Sequence, residues 1–151
     1  MRRKNKGFSL IELMIVVAII AILAMIMTPN LLTAIQKAKL KATMEDMRNI
    51  GMSVDNYMTD WGKAVTTDDF GELKSYVFPF YTKKFADTDQ WTNPYDYVGV
   101  GDDYSVGSGG KDGGYADPSS GLLYDPPTSI ADFNRDICYS NGSFTYAPRQ
   151  N

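Results

Sequence analysis

The chain has 151 residues, a formal net charge of -3 and 44% apolar content, which suits one ordinary domain if the apolar residues are evenly spread. Histidine is absent and cysteine occurs once, at Cys138, so Ser-His and Cys-His nucleophilic pairs, His-based zinc or iron sites and an intrachain disulfide are excluded. Arg2, Arg3, Lys4 and Lys6 lie in the first seven positions; from Phe8 onward eleven basic groups face eighteen acidic ones, a balance that gives nucleic acid no positive field to bind.

Residues 1–7 form a basic leader, and the apolar run from Phe8 to Thr28 is broken only by Ser9 and Glu12. At helical rise that run spans roughly 31 Å, enough for a bilayer core. The basic flank keeps the leader cytoplasmic and sends the C-terminal bulk across the membrane. A secretory signal peptide fits the charge, but the apolar stretch is longer than usual and ends without a clean A-x-A site. A plain anchor fits the length. Neither gives Glu12 a task, and a carboxylate deep in a spanning helix costs roughly 2 to 3 kcal/mol unless it is paired. Cutting between Gly7 and Phe8 creates a partner, an α-amino group with a pKa of about 8. Glu12 then lies about 6 Å along the helix from that amine. It pairs with its own amine or with that of a neighbouring subunit, and the second arrangement favours a packed assembly over a dispersed monomer.

After Pro29 helical spacing returns. Leu31, Ile35, Ala38, Ala42, Met47, Ile50, Val54 and Met58 share one face, and Lys37, Lys39, Lys41, Glu45, Asp46 and Arg48 share the other. The spacing predicts one helix from about Ser9 to about Met58, with Pro29 either a point of bending or the place where the spanning segment ends. No aromatic residue lies between Phe8 and Tyr57, so the helix has no material for an aromatic stack.

From Asp60 the texture changes to short β-prone pieces between turn signals. Tyr76–Phe85 reads as an aromatic strand or strand pair interrupted by Pro79, Tyr95–Val100 and Asp103–Val106 as strands, and Asp136–Tyr139 with Ser143–Tyr146 as a hairpin about Asn141-Gly142. Asn141-Gly142-Ser143 is therefore a turn rather than a glycosylation acceptor. Gly107–Gly114 and Pro118–Pro127 read as loops, and Cys138 as a small buried residue. The expected class is α+β, with a long N-terminal helix, membrane-spanning in its first half, packed against a small antiparallel sheet of three or four strands.

The stretch from Tyr104 to Gly114, with Asp117, Asp125, Asp132, Asn134 and Asp136 after it, concentrates hard oxygen donors in turn-rich sequence, and calcium is the metal this donor set suits. The spacing is not that of an EF-hand. Adjacent acidic pairs such as Asp68-Asp69 and Asp102-Asp103 read as solvated turns rather than catalytic carboxylates, so no enzyme is expected.

KGFSLIELMIVVAIIAILA, with Gly7 at the cut, Phe8 at the new terminus and Glu12 at the fifth mature position, resembles the leader and first helix of type IV pilins and type II secretion pseudopilins. WTNPYDY at 91–97, SVGSGGKDG at 105–113 and RDICYSNG at 135–142 are similar, in the same order, to elements of the major pseudopilin. The resemblance implies a pilin-like fold with a leader at 1–7, a transmembrane and assembly helix at 8–29 and a periplasmic domain at 30–151. It implies cleavage after Gly7 by a prepilin peptidase, N-methylation of Phe8, and assembly through Glu12 and Pro29. The expected product is a homo-oligomeric filament, with other pseudopilins or minor pilins, rooted in the bacterial inner membrane. The resemblance further implies a calcium site drawing on the carbonyls of Val106 and Ser108 and the carboxylates of Asp112, Asp125 and Asp136. The expected function is a structural subunit of a type II secretion pseudopilus, with a type IV pilin for adhesion, motility or DNA uptake as the alternative.

Overall fold

The structure, a computed structural model, describes residues 7–114 and 133–146. Helix α1 runs over Leu10–Trp61 without interruption. The chain divides into two compact units, Met1–Ile35 and Gln36–Asn151.

Within the first unit the apolar side chains have no protein cover: Phe8 is 83% exposed, Leu10 77% and Met27 68%. The 18-residue window of highest mean hydropathy, 3.0, has none of its residues buried, and the length and composition suit a membrane span. Pro29 lies inside α1. The chain therefore stays helical through the proline, as the expected continuous helix requires. Around it, the Thr28 hydroxyl donates to the Ala24 carbonyl at 2.7 Å and that of Thr33 to the Pro29 carbonyl at 3.1 Å. Such back-bonding favours local bending beside the proline, whose missing N–H leaves the Met25 carbonyl without its helical donor.

In the second unit α1 buries Leu40, Thr43, Met47, Ile50 and Val54, a stripe at alternating three- and four-residue spacing. The predicted face is correct from Met47 to Val54 but displaced before it, since Leu31 is 61% exposed and Ile35 43%. Polar Thr43 and Asp46 join the inner face because Gln90 meets both: its N–H donates to Thr43 Oγ1 at 3.2 Å and its Nε2 to Asp46 Oδ2 at 3.1 Å.

Helix α2 spans Phe70–Val77, so that Tyr76 and Val77, expected to open the Tyr76–Phe85 strand, are helical instead. Asp69 caps it by accepting from the N–H groups of Gly71 and Glu72, and Leu73 and Val77 are fully buried one turn apart. Aromatic content was the misleading signal: Tyr76 lies in the last turn of α2, and Phe78–Tyr81 forms a turn containing a cis Phe78–Pro79 bond.

The remaining strands pair as an antiparallel meander of β1 (Tyr95–Val100), β2 (Asp103–Ser108), β3 (Ile137–Ser140) and β4 (Ser143–Tyr146), in that order across the sheet. β1 alternates strictly, with Tyr95 and Tyr97 inward and Asp96 and Val98 outward. Two-residue turns close the outer hairpins. Gly101 at φ 64° opens the first; Asn141 and Gly142, at φ 47° and 83°, form the second with the left-handed pair that such turns need. β2 reaches Ser108, two residues further than the sequence indicates. Cys138 is buried at 4% exposure. Pro118–Pro127 lies outside the described residues.

The sheet meets α1 at Gly51. Tyr104 Oη donates to the Gly51 carbonyl at 3.1 Å and to Asp55 Oδ1 at 2.8 Å, and a Cβ at Gly51 would overlap the Tyr139 ring. Burial, followed by the Asp55 hydrogen bond, raises the Tyr104 pKa well above its ordinary value. Gly51→Ala forces the Tyr139 ring out of a filled interface and is expected to cost roughly 1 to 3 kcal/mol, read as a lower denaturant midpoint at unchanged slope.

Candidate functional site

Two places carry the candidate residues, the start of α1 and the loop after β2. At the first, Ser9 precedes the helix and Glu12 is its third residue, an S-x-x-E spacing that matches a capping box. Glu12 Oε2 accepts the Ser9 N–H at 2.9 Å. Sequence reasoning treated Ser9 only as an interruption of the apolar run, although its distance from Glu12 was the signal for this cap. The carboxylate thus has a main-chain partner in the same chain, on a helix turn that exposes Phe8. Gly7 stands clear of other atoms: a Cβ placed there would meet nothing within 4 Å.

At the second place the organising group is Asp89, which sequence reasoning did not single out. It is 4% exposed; Oδ1 accepts the N–H groups of Trp91 and Asn93, both at 2.9 Å, and Oδ2 accepts the Ser108 hydroxyl at 2.9 Å. A buried carboxylate is retained only where such donors replace water. Asn93, held by that turn, donates through Nδ2 to the Gly110 carbonyl at 2.7 Å. Lys111 N–H donates to the Phe133 carbonyl at 2.9 Å. The WTNPY and SVGSGGKDG elements, distant in sequence, are therefore neighbours. Gly110 sits at φ 61°, and a Cβ there would strike the carbonyls of Phe133 and Arg135, so glycine is required for the close approach. The signal for Asp89 was its place two residues before Trp91 and four before Asn93, the spacing of an Asx-type turn.

The buried hydroxyl of Tyr95 lies on the same side of the molecule and has no hydrogen-bond partner of good geometry. Burial first, then the charges of Asp46 and Asp89, push its pKa well above the usual tyrosine value.

Of the proposed calcium donors, Val106 and Ser108 lie in β2, which pairs with β1 and β3 on its two sides, so their main-chain groups face ladder partners. The Ser108 hydroxyl is engaged by Asp89. Asp112 is exposed in the loop, where its Oδ1 accepts the Gly114 N–H at 3.2 Å. Asp136 immediately precedes β3, whose Ile137 is paired with Ser108, so Ser108, the Asp112 loop and Asp136 share one end of the sheet. Asp125 lies outside the described residues. Among the described residues no three acidic, His or Cys side chains converge on a metal-sized site. The donors at this end are all oxygen, a chemistry that fits a hard cation.

A basic leader, an uncovered apolar helix with one carboxylate in its first turn, and a four-stranded meander laid on the same helix define a prepilin-type structural subunit. The prokaryotic N-terminal methylation motif matches residues 2–28. The chain is 33% identical over 129 residues to the type II secretion system core protein G of Pseudomonas aeruginosa, an alignment covering 75% of this chain and 90% of that protein. It is 32% identical to the corresponding protein of Vibrio cholerae, covering 74% and 86%. The type IV wide pilus major component of Thermus thermophilus is 64% identical over 36 residues, 24% of this chain and 28% of that protein. No solved structure matches the chain at a significant level. The chain belongs to the type II secretion system core protein G family: it is a membrane-anchored pseudopilin, a structural subunit and not an enzyme.

Replacing Asp89 by Ala leaves the buried Ser108 hydroxyl and the half-buried Trp91 and Asn93 N–H groups without their acceptor, and a fully buried donor left unsatisfied costs about 1 to 3 kcal/mol. Asp89→Ala is expected to lose about 3 kcal/mol or more, with hydrogen exchange accelerated first at the Trp91 and Asn93 amides, as amide-resolved exchange would record.

Proposed function

We propose that the chain is cut after Gly7 by a membrane prepilin peptidase, methylated on the new amine of Phe8, and added to a type II secretion pseudopilus built from its own copies with other pseudopilins. Residues 8–29 hold it in the inner membrane with the leader cytoplasmic, and residues 30–151 stand in the periplasm before and during assembly. The observation that carries this reading is the uncovered apolar surface from Phe8 to Met27 together with Glu12 in the first turn of the helix. That surface is covered only by lipid or by other apolar helices, and a charge within it favours whichever cover supplies a counter-charge. The methylated amine keeps its positive charge and supplies it. Since amine and carboxylate are about 6 Å apart along one helix, copies shifted along a common axis exchange partners, and a heterologous contact of this kind that does not close yields a filament. Pro29, with its missing donor, lets the helix adjust between the lipid and the packed environment.

Calcium is the cofactor proposed for the loop end of the sheet. The carboxylates of Asp112, Asp125 and Asp136 would hold it; the Val106 and Ser108 carbonyls, which face ladder partners, would join only through a second lone pair, with carbonyls of the following loop completing the oxygen shell. A bound cation supplies cross-linking charge to a segment with little apolar core of its own, so its binding energy appears as folding energy.

Intact mass and N-terminal sequencing of the protein from native membranes are expected to give a chain beginning at methylated Phe8. A chain still carrying Met1, or one cut beyond Met27, would reject the processing step and the role of Glu12. For the metal, the full chain in detergent is expected to melt several degrees lower in chelator than in millimolar calcium, with Asp112→Ala erasing the difference. Equal melting of the unaltered chain in both conditions removes calcium from the account.

A further inference from the structure

The exposed aromatic residues of the second unit are not scattered. Trp61 (65%), Tyr76 (46%) and Phe80 (88%) border one region at the end of α1 and α2. There Tyr57, Asp60, Trp61, Tyr76, Phe80 and Tyr81 line an open cleft of about 630 Å³. Its rings are mutually braced: Tyr57 stacks on Trp61 with centroids 5.9 Å apart and meets Tyr76 and Tyr81 edge-on at 6.1 and 5.6 Å. Tyr81 Oη accepts from Trp61 Nε1 at 3.1 Å and donates to Asp60 Oδ2 at 2.9 Å. The other Asp60 oxygen has no protein partner among the described residues. A single exposed aromatic needs no explanation, but a concave cluster rigidified by its own contacts does.

Ring faces carry negative potential, and a carboxylate beside them adds to it, so the chemistry that fits is a cation on an apolar stem. Among the described residues no cation is recorded over these rings: the ring-facing cations are Arg48 over Phe144 and Lys74 over Phe85. The complementary surface is elsewhere on α1. Lys37 and Lys41 are exposed and Lys39 half-exposed, and none of the three makes an ion pair among the described residues, where the two salt bridges are Lys74–Asp87 and Lys84–Asp46. From Lys41 to Tyr57 is about 24 Å along the helix and about 160° around it. Lys37 and Lys41 face away from Tyr57, and all three lysines are offset from it by about 24 Å or more along the axis, so one copy cannot join the patches within itself, and repeated contacts between copies run head to tail instead of closing as a pair.

We propose that this aromatic cleft is a docking site for the Lys37–Lys41 segment of α1 in a second copy of the chain. The proposal rests on the assembly reading above and adds a contact between globular units to it. The Lys stem lies against Trp61 and Tyr76, and the ammonium group meets Asp60.

The test uses full-length chains carrying Cys138→Ser in native membranes, with Ala38→Cys on one tagged copy and Ser75→Cys on another, joined by a short bis-maleimide. A cross-linked heterodimer at least ~5-fold above that of Ala38→Cys with Asp102→Cys, on the remote β1–β2 turn, is expected. Asp60→Lys should remove it, and Asp60→Lys combined with Lys37→Glu and Lys41→Glu should restore it. A Met14→Cys homodimer, reporting contact between the apolar helices, separates the two readings. If Met14 cross-links persist and the Ala38–Ser75 product stays at control level, the docking site is wrong and the assembly stands. If both are absent, the assembly reading falls and this contact with it. A Ser75→Cys adduct formed only with a different protein also overturns the proposal.

Discussion

From Phe8 to Met27 the chain presents apolar side chains that no part of the described protein covers. That surface is incompatible with water, and in hydrocarbon only a structure whose main chain is hydrogen-bonded within itself is tolerated, which is why this segment is an unbroken helix. Glu12 sharpens the constraint. In the single chain the Ser9 N–H satisfies one carboxylate oxygen, but a neutral donor does not cancel a charge in lipid. What the segment lacks is a counter-charge and an apolar neighbour, and in the assembly proposed above other copies of the same helix would supply both.

The same helix then changes its task without changing its backbone. Beyond Gln36 it carries a stripe from Leu40 to Val54 on which the sheet lies, and the contact at Gly51 sets how closely the two approach. Tyr104 and Tyr139 fill that gap with rings and spend one hydroxyl on the Gly51 carbonyl and the Asp55 carboxylate. In the second unit tyrosines share the core with the aliphatic residues: Tyr95, Tyr97, Tyr104 and Tyr139 are all at most 4% exposed. For Tyr97 and Tyr104 the buried hydroxyl is matched by a main-chain carbonyl, as burial of a polar group requires.

The loop end of the sheet is ordered in its first half by Asp89 rather than by apolar contact. Asp89, Asn93 and Ser108 tie the 89–93 turn to the end of β2, and Gly110 allows the chain to pass against the carbonyls of Phe133 and Arg135. The hydrogen bonds of this polar knot run through Asp89, Trp91, Asn93, Ser108 and Gly110 and not through Asp112 or Asp136. Any metal in this region would extend a loop whose root is already fixed.

Features with a strong local cause were legible in the chain itself. The uncovered helix follows from an apolar run of spanning length, β1 from its strict alternation, and the second hairpin from Asn141-Gly142, whose positive φ values few other pairs accept. The prepilin character of the N-terminus is likewise written in adjacent residues. Other features were decided by tertiary contact. Phe70–Val77 became a helix because Asp69 caps it and because Leu73 and Val77 meet the core one turn apart, which outweighed the β preference of its aromatics. The buried stripe of α1 begins at Leu40 instead of Leu31 because burial depends on what is packed above a residue and not on its own apolarity. Asp89 looks like an ordinary loop acid until Ser108, nineteen positions away, is brought against it. Local preference is fixed by a residue and its immediate neighbours, whereas the value of a buried carboxylate, a missing Cβ or an inward threonine depends on the partner that only the folded chain supplies.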